Sequence, residues 1–378
     1  MTKTKIYKKL NTLNYEPVIN ILSIVIVVLF ILNLFFITSL TSSLKEKLLE
    51  TKEAARPAVL QLTVIQASNC NGCFDIQQIV DKIKSSNVNI TQVETIDFVS
   101  AFPIVSELIR KYDIKKLPTV IVKGEIVKSG LNGTLTGAGD ALVFTNPNPP
   151  YFDLESDSIK GIVAATIINP DNCQNCSDVS PVLKELKSGG VVIKVVNSLS
   201  EKEAKEIIEK YDIKTLPSIV LTRDAMEYSI VKDNWRNIGT QESDGNLVLR
   251  YILPPYKNLA TGKIDGLVSV IYITDSSCKD CYNVSIHKRI LEGYDLVIVD
   301  EKTFDVSTSE GFDFAQKNNI TLVPTFVLSK DAKYYPAFYN VFIRVSKEFN
   351  ENLIFNAVEL MGKYKDLETG NVVEPKQG

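Results

Sequence analysis

Cys173-Gln174-Asn175-Cys176, with Leu216-Pro217-Ser218 placing its proline 44 residues after the first cysteine, is one of three copies of a single pattern. Cys70-Asn71-Gly72-Cys73 precedes Leu117-Pro118-Thr119 by 48 residues, and Cys278-Lys279-Asp280-Cys281 precedes Val323-Pro324-Thr325 by 46, counted the same way. All six cysteines of the chain lie in these pairs. The first cysteines are 103 and 105 residues apart, a period that means tandem globular domains rather than a solenoid.

Outward from each pair the same elements recur. In the first copy, the β-branched run from Val59 to Gln66 reads as a strand and a loop leads into the cysteines. Apolar residues Phe74, Ile76, Ile79, Val80 and Ile83 then recur at helical spacing, predicting a helix from Cys73 to Ser85. A strand over 88–98, a helix over 100–112 and a strand over 119–122 complete the order β-α-β-α-Pro-β. The second copy repeats it with helices predicted over 176–187 and 201–211, the third with helices over 281–291 and 304–317.

A second signature stands between the copies. Pro149-Pro150-Tyr151-Phe152-Asp153-Leu154 precedes the second copy and Pro254-Pro255-Tyr256-Lys257-Asn258-Leu259 the third, and both read as extended inter-domain joints. Lys363-Tyr364-Lys365-Asp366-Leu367 echoes them near the C-terminus with no copy after it, which assigns that last segment to the end of the preceding domain. The expected division is a tail at 1–17, a transmembrane helix at 18–37, a helical stalk at 38–56, and domains at 57–149, 150–254 and 255–378.

The run from Val18 to Ile37 carries no charge, and its 20 residues span roughly 30 Å as a helix, the thickness of a hydrocarbon core. Lys3, Lys5, Lys8 and Lys9 precede it, so the positive-inside tendency keeps the N-terminus in the cytoplasm and places everything after Ile37 outside. The run is longer than the core of a cleaved leader and lacks an A-x-A-like site after it, which favours a retained single-pass anchor in the cell membrane. Outside the cytoplasm disulfides form and persist, either as stable bonds or as exchanging ones. The net charge of −3 gives nucleic acid no reason to bind.

Before each proline the chain reads Tyr112-Asp113-Ile114-Lys115-Lys116-Leu117-Pro118-Thr119, Tyr211-Asp212-Ile213-Lys214-Thr215-Leu216-Pro217-Ser218 and Asn318-Asn319-Ile320-Thr321-Leu322-Val323-Pro324-Thr325. With the strand before the cysteines and the helix after them, this resembles the thioredoxin superfamily over about residues 57–363. The resemblance implies an α/β fold of three tandem thioredoxin-like domains, each a central mixed sheet flanked by helices, after one transmembrane helix. It implies cis prolines facing the cysteine pairs, with the first cysteine at a helix N-cap where backbone N–H groups and the dipole favour a thiolate. It further implies Cys70, Cys173 and Cys278 as nucleophiles, Cys73, Cys176 and Cys281 as resolving cysteines, and Leu117, Pro118, Leu216, Pro217, Val323 and Pro324 as the peptide-binding residues. The chain departs from the superfamily's pattern in two ways. No tryptophan precedes any first cysteine, and the first-strand positions that often hold a carboxylate are Val64, Ile167 and Tyr272.

The implied activity is thiol–disulfide exchange with exported protein thiols and disulfides, with a further redox partner that the sequence does not identify and no cofactor. The competing reading is a thioredoxin-like binding or scaffold protein whose disulfides are structural and redox-inert. A metal is disfavoured: zinc takes four ligands, each pair offers two, and the sole histidine, His287, falls about 240° round the helix from Cys281, as a surface or packing residue.

Overall fold

The computed structural model describes residues 16–375. The lysines of the expected cytoplasmic tail lie outside the described residues.

The N-terminal helix runs unbroken from Glu16–Ala55, 40 residues, so the expected transmembrane segment and stalk are one element. The polar stretch after Ile37 does not interrupt it. Thr38 and Thr41 turn their hydroxyls back onto the carbonyls of Leu34 and Ile37 at 2.9 and 2.7 Å, so they do not compete for N–H groups. None of its residues is buried, and it is the one helix among the described residues long and apolar enough to cross a membrane. Its end is fastened to the first domain: Arg56 forks onto Glu125 at 2.7 and 2.5 Å, and Glu125 also accepts the Val59 N–H at 2.8 Å. The Arg56 guanidinium and the Val59 N–H hold the Glu125 carboxyl down at about 2.

Each repeat builds a five-stranded mixed sheet. In the first, Ala58–Gln66 is flanked by Val88–Asp97, parallel to it, and by Thr119–Gly124, antiparallel. Ala141–Val143 and then Thr136–Ala138 extend the sheet beyond Thr119–Gly124. Counted in chain order, the five strands lie 2-1-3-5-4. The second repeat gives the same order with Val163–Asn169, Ile193–Ser200, Ser218–Leu221, Gly239–Gln241 and Leu247–Leu249. The third gives it again with Val268–Thr274, Ile298–Asp305, Thr325–Leu328, Ser346–Phe349 and Asn352–Phe355. A parallel β-α-β pair, a second helix, a cis proline and an antiparallel hairpin make the thioredoxin-like arrangement, present three times in tandem. Leu60, Leu62, Val120 and Val122 in the first repeat, and their counterparts in the others, form an apolar core against the helices.

The second helices begin later than the periodicity predicts, at Phe102, Lys205 and Ser309. Polar side chains shape the preceding turns. Asp97 accepts the N–H groups of Ser68 and Ser100, and Glu203 accepts from Ser200. In the third repeat Thr308 caps the helix by accepting from Gly311.

The tyrosine segments do more than join repeats. Tyr151–Asp153 pairs antiparallel with Lys116–Leu117 and with Ser158–Lys160, making a separate three-stranded sheet. Tyr256–Asn258 does the same between Thr215–Leu216 and Ile264–Asp265, and Tyr364–Asp366 between Leu322–Val323 and Val372–Val373. All three segments therefore fold back onto the residues just before the proline of the repeat they follow. The residue just after the last strand of each of the first two of these sheets has to be a glycine: Gly161 has φ +86 and Gly266 φ +94, and a Cβ on either would stand 2.4 Å from the Cβ of Pro149 or Pro254.

Candidate active site: three disulfides beside three cis prolines

The six cysteines are joined as Cys70–Cys73, Cys173–Cys176 and Cys278–Cys281, each with Cα atoms 5.5 Å apart. The peptide bonds Leu117-Pro118, Leu216-Pro217 and Val323-Pro324 are cis, as are Pro149-Pro150 and Pro254-Pro255.

The pairs do not sit on the helices as the spacing predicted. The following helices are Gln77–Lys84, Ser180–Ser188 and Ile286–Glu292, so they start four, four and five residues after the second cysteine. Two contacts, repeated in all three domains, hold the chain out of helical geometry. The residue after the second cysteine donates its N–H away: Phe74 to the Pro150 carbonyl at 2.7 Å, Ser177 to Pro255 at 2.8 Å and Tyr282 to Lys363 at 2.9 Å. One residue on, a side chain makes the turn that opens the helix. Asp75 accepts from Gln77, Asp178 from Ser180 and Asn283 from Ser285. The sulfurs therefore lie outside the first turn, where a helix dipole acts most strongly.

Leu117, Leu216 and Val323 are wholly buried, and the prolines after them are buried too. The backbone of these residues is engaged as well, since Leu117 is paired with Phe152, Leu216 with Lys257 and Val323 with Lys365. The residue after each proline is structural. Thr119, Ser218 and Thr325 are buried and donate their hydroxyls to the carbonyls of Phe144, Leu249 and Phe355. Cys70 is buried and Cys73 half-buried, whereas both cysteines of the second and third pairs are half-buried.

Polar surroundings differ between the three sites. In the third, Asp275 lies three residues before Cys278 and is 5% exposed. Burial alone would push its carboxyl up. The Lys365 ammonium at 2.6 Å and the N–H and hydroxyl of Ser277 outweigh burial and leave it below its ordinary value. In the second, Lys257 takes the same role with Glu201 at 2.7 Å. In the first, the corresponding residue is Phe152, whose ring lies 5.6 Å from that of Phe98. Lys194, from the second domain, donates to the Asn71 carbonyl between Cys70 and Cys73 at 2.7 Å.

His287 is a packing residue. It packs against the rings of Phe326 and Phe355, at 4.6 and 4.7 Å, and burial pulls it down to about 4. Tyr282, next to Cys281, gives its one proton to the cis-proline carbonyl of Pro324 at 2.6 Å. Its oxygen is therefore the acceptor toward His287 Nε2 at 3.2 Å, which requires the Nε2–H tautomer. Among the described residues no cluster of three or more His, Cys, Asp or Glu side chains could hold a metal ion.

The Asp/Asn turns and the paired tyrosine segments went unread in the sequence. The first carried a signal, an Asp or Asn two residues after every second cysteine. The second carried one in the tyrosine spacing of 105 and 108 residues, which follows the cysteine period.

No known family profile matches the chain, and no curated protein does. Among solved structures it is similar to ERdj5, with 12% identity over 80% of this chain and 39% of that one, at a TM-score of 0.15. It is also similar to a protein disulfide oxidoreductase from Aeropyrum pernix, with 16% identity over 45% of this chain and 78% of that one, at a TM-score of 0.14. For human ERp44 the identity is 12% over 82% of this chain and 94% of that one, at a TM-score of 0.13. The chain spans about two fifths of the length of ERdj5. The thioredoxin-like fold rests on the strand order, the pairing and the cis prolines described above.

Proposed function

We propose that the chain is a membrane-anchored thiol–disulfide oxidoreductase, working as an oxidase, isomerase or relay on exported proteins. The observation that carries this reading is the threefold placement of a C-x-x-C disulfide on a thioredoxin-like sheet that has a cis proline before its third strand. Exchange is a pair of displacements. A partner thiolate attacks one sulfur of the module, the S–S bond breaks, and the other cysteine leaves as a thiolate. The partner's second thiolate then attacks the partner-side sulfur of the mixed disulfide and releases the first cysteine. The partner dithiol has lost two electrons and two protons, and the module has gained them. The reverse sequence reduces a partner disulfide. Cys70, Cys173 and Cys278 are assigned as nucleophiles and Cys73, Cys176 and Cys281 as resolving cysteines. The uncharged run from Val18 to Ile37 and the lysines before it support a single-pass anchor with the N-terminus cytoplasmic and all three domains outside.

The test is thiol trapping at set potentials, read by mass spectrometry. Exchanging pairs titrate between about −120 and −270 mV, whereas inert ones stay oxidised below about −300 mV. Replacing Cys73, Cys176 or Cys281 by alanine should accumulate mixed disulfides with clients. Oxidised pairs throughout that range, with no trapped client in any variant, would establish the scaffold reading instead. That second reading has one observation in its favour: the backbone beside every cis proline is already paired within the chain.

A further inference from the structure

We infer that the segments Tyr151–Asp153, Tyr256–Asn258 and Tyr364–Asp366 determine the substrate class of the three dithiols. They restrict exchange to sulfurs that arrive end-on, without a flanking extended backbone. This rests on the exchange reading above.

An extended polypeptide binds an open strand edge by adding backbone hydrogen bonds. In each domain the available edge is the residue before the cis proline, and the chain's own segment already pairs with it, Leu117 with Phe152, Leu216 with Lys257 and Val323 with Lys365. Each segment is tied down on the far side as well. Leu154 donates its N–H to Lys115 at 2.9 Å, Leu259 to Lys214 at 2.9 Å and Leu367 to Thr321 at 2.7 Å. Toward the sulfurs, the carbonyls of Pro150, Pro255 and Lys363 accept from the residue after the second cysteine. The middle of each strap is fixed to the loop before the first cysteine or to its neighbour. Lys365 bonds Asp275 and Ser277, Lys257 bonds Glu201, and Phe152 packs in one cluster with Cys70 and Leu117.

The strap thus bridges the cis-proline edge and the cysteine loop, along the line an extended substrate would occupy. Lys257 and Phe152 are as different chemically as two side chains can be, yet both serve the same tie. What the three domains share is the occupied edge. A compact thiol still has a path, because at least one cysteine of each pair is half-exposed. The shared chemistry is a thiol or disulfide sulfur on a small molecule or on a protruding loop tip.

The experiment uses the full chain in detergent, oxidised, with three single-thiol probes of matched acidity. They are 2-mercaptoethanol, a folded protein with one cysteine at a loop tip, and an unstructured twelve-residue peptide with a central cysteine. Mixed-disulfide formation is followed by mass spectrometry. The peptide should react at least roughly tenfold more slowly than 2-mercaptoethanol, because it has no edge to pair with. Leu154→Pro, Leu259→Pro and Leu367→Pro each delete a strap hydrogen bond and should raise the peptide rate at their own domain about tenfold with the small-thiol rate unchanged. Should a proline variant not fold, Lys257→Met and Lys365→Met loosen the straps without touching the backbone and should shift the peptide rate in the same direction. A loop-tip protein as fast as 2-mercaptoethanol identifies protein loops as substrates; one as slow as the peptide identifies small thiols, and either supports the inference. A peptide as fast as 2-mercaptoethanol in the natural chain, or strap variants with unchanged peptide rates, would overturn it. No reaction with any probe in any variant would overturn the exchange reading itself, and this one with it.

Discussion

His287 and Tyr272 show how single residues of the third domain are set by burial. His287 is 2% exposed and desolvation lowers it from its ordinary 6.5 to about 4. Between those values the unfolded chain binds the proton and the folded one does not, so stability rises with pH across that window. The contribution is complete above about 6.5, is lost as pH falls toward about 4, and is constant below; its full size is roughly 3 kcal/mol. His287→Leu should flatten this acid limb in denaturant titrations taken from pH 7 to 4. An unchanged limb would mean that the ring is protonated within the fold. Tyr272 occupies a first-strand position that often holds a carboxylate in the superfamily it resembles. Its hydroxyl is buried with no hydrogen-bond partner among the described residues, and burial pushes it up to about 12. Tyr272→Phe keeps the ring against Phe326 and removes the orphan group, so the third domain should gain about 1 kcal/mol in chemical denaturation.

At the scale of elements, what was legible in the sequence had a period or a run behind it. The first strands are apolar and buried, as in Leu60, Leu62 and Val64, and nothing competes with that reading. The cysteine pairs and the prolines announced themselves by threefold spacing. The start of the helix after each pair was misread because Phe74 and Ile76 fit a helical stripe, while the backbone bond from Phe74 to Pro150 and the Asp75 turn overrode it. The straps were illegible as strands because each is three residues long, too short for alternation to register. The first is braced by Gly161, just beyond its partner strand Ser158–Lys160. Gly161→Ala forces a Cβ to 2.4 Å from Pro149 Cβ at a φ of +86. It should cost about 1–3 kcal/mol, seen as a lower thermal midpoint, and should also free the first strap, seen as faster reaction of the first disulfide with the peptide probe. A variant with natural melting and natural reactivity would show that Gly161 does not hold the strap.

On the scale of the whole molecule, the straps and the domains are in contact with one another. Tyr151 of the first strap donates to Glu227 of the second domain at 2.7 Å, and Tyr256 of the second strap meets Tyr334 of the third edge-on. Lys194 brings a positive charge from the second domain to the first cysteine loop, and the matching position in the third domain is Val299, so the first pair has a neighbour that the second lacks. A nearby cation favours the thiolate. Lys194→Glu should therefore slow alkylation of the reduced first pair at pH 7 by roughly threefold, with the other two pairs unaffected and the difference shrinking at high salt. An unchanged rate at the first pair would remove Lys194 from any part in the chemistry. The helix Glu16–Ala55 has a consequence for reach. With Val18 to Ile37 inside a bilayer, the remaining 18 residues to Ala55 continue as a rod of about 27 Å, fastened to the first domain through Arg56 and Glu125. A rod fixes a working height, where a loose tether would sweep a volume. On the proposed function, an electron donor embedded in the same membrane would have to carry a domain of similar height to touch the first disulfide, whereas a freely diffusing partner would meet no such condition. Lengthening the rod by whole turns should uncouple the first kind of partner and leave the second untouched.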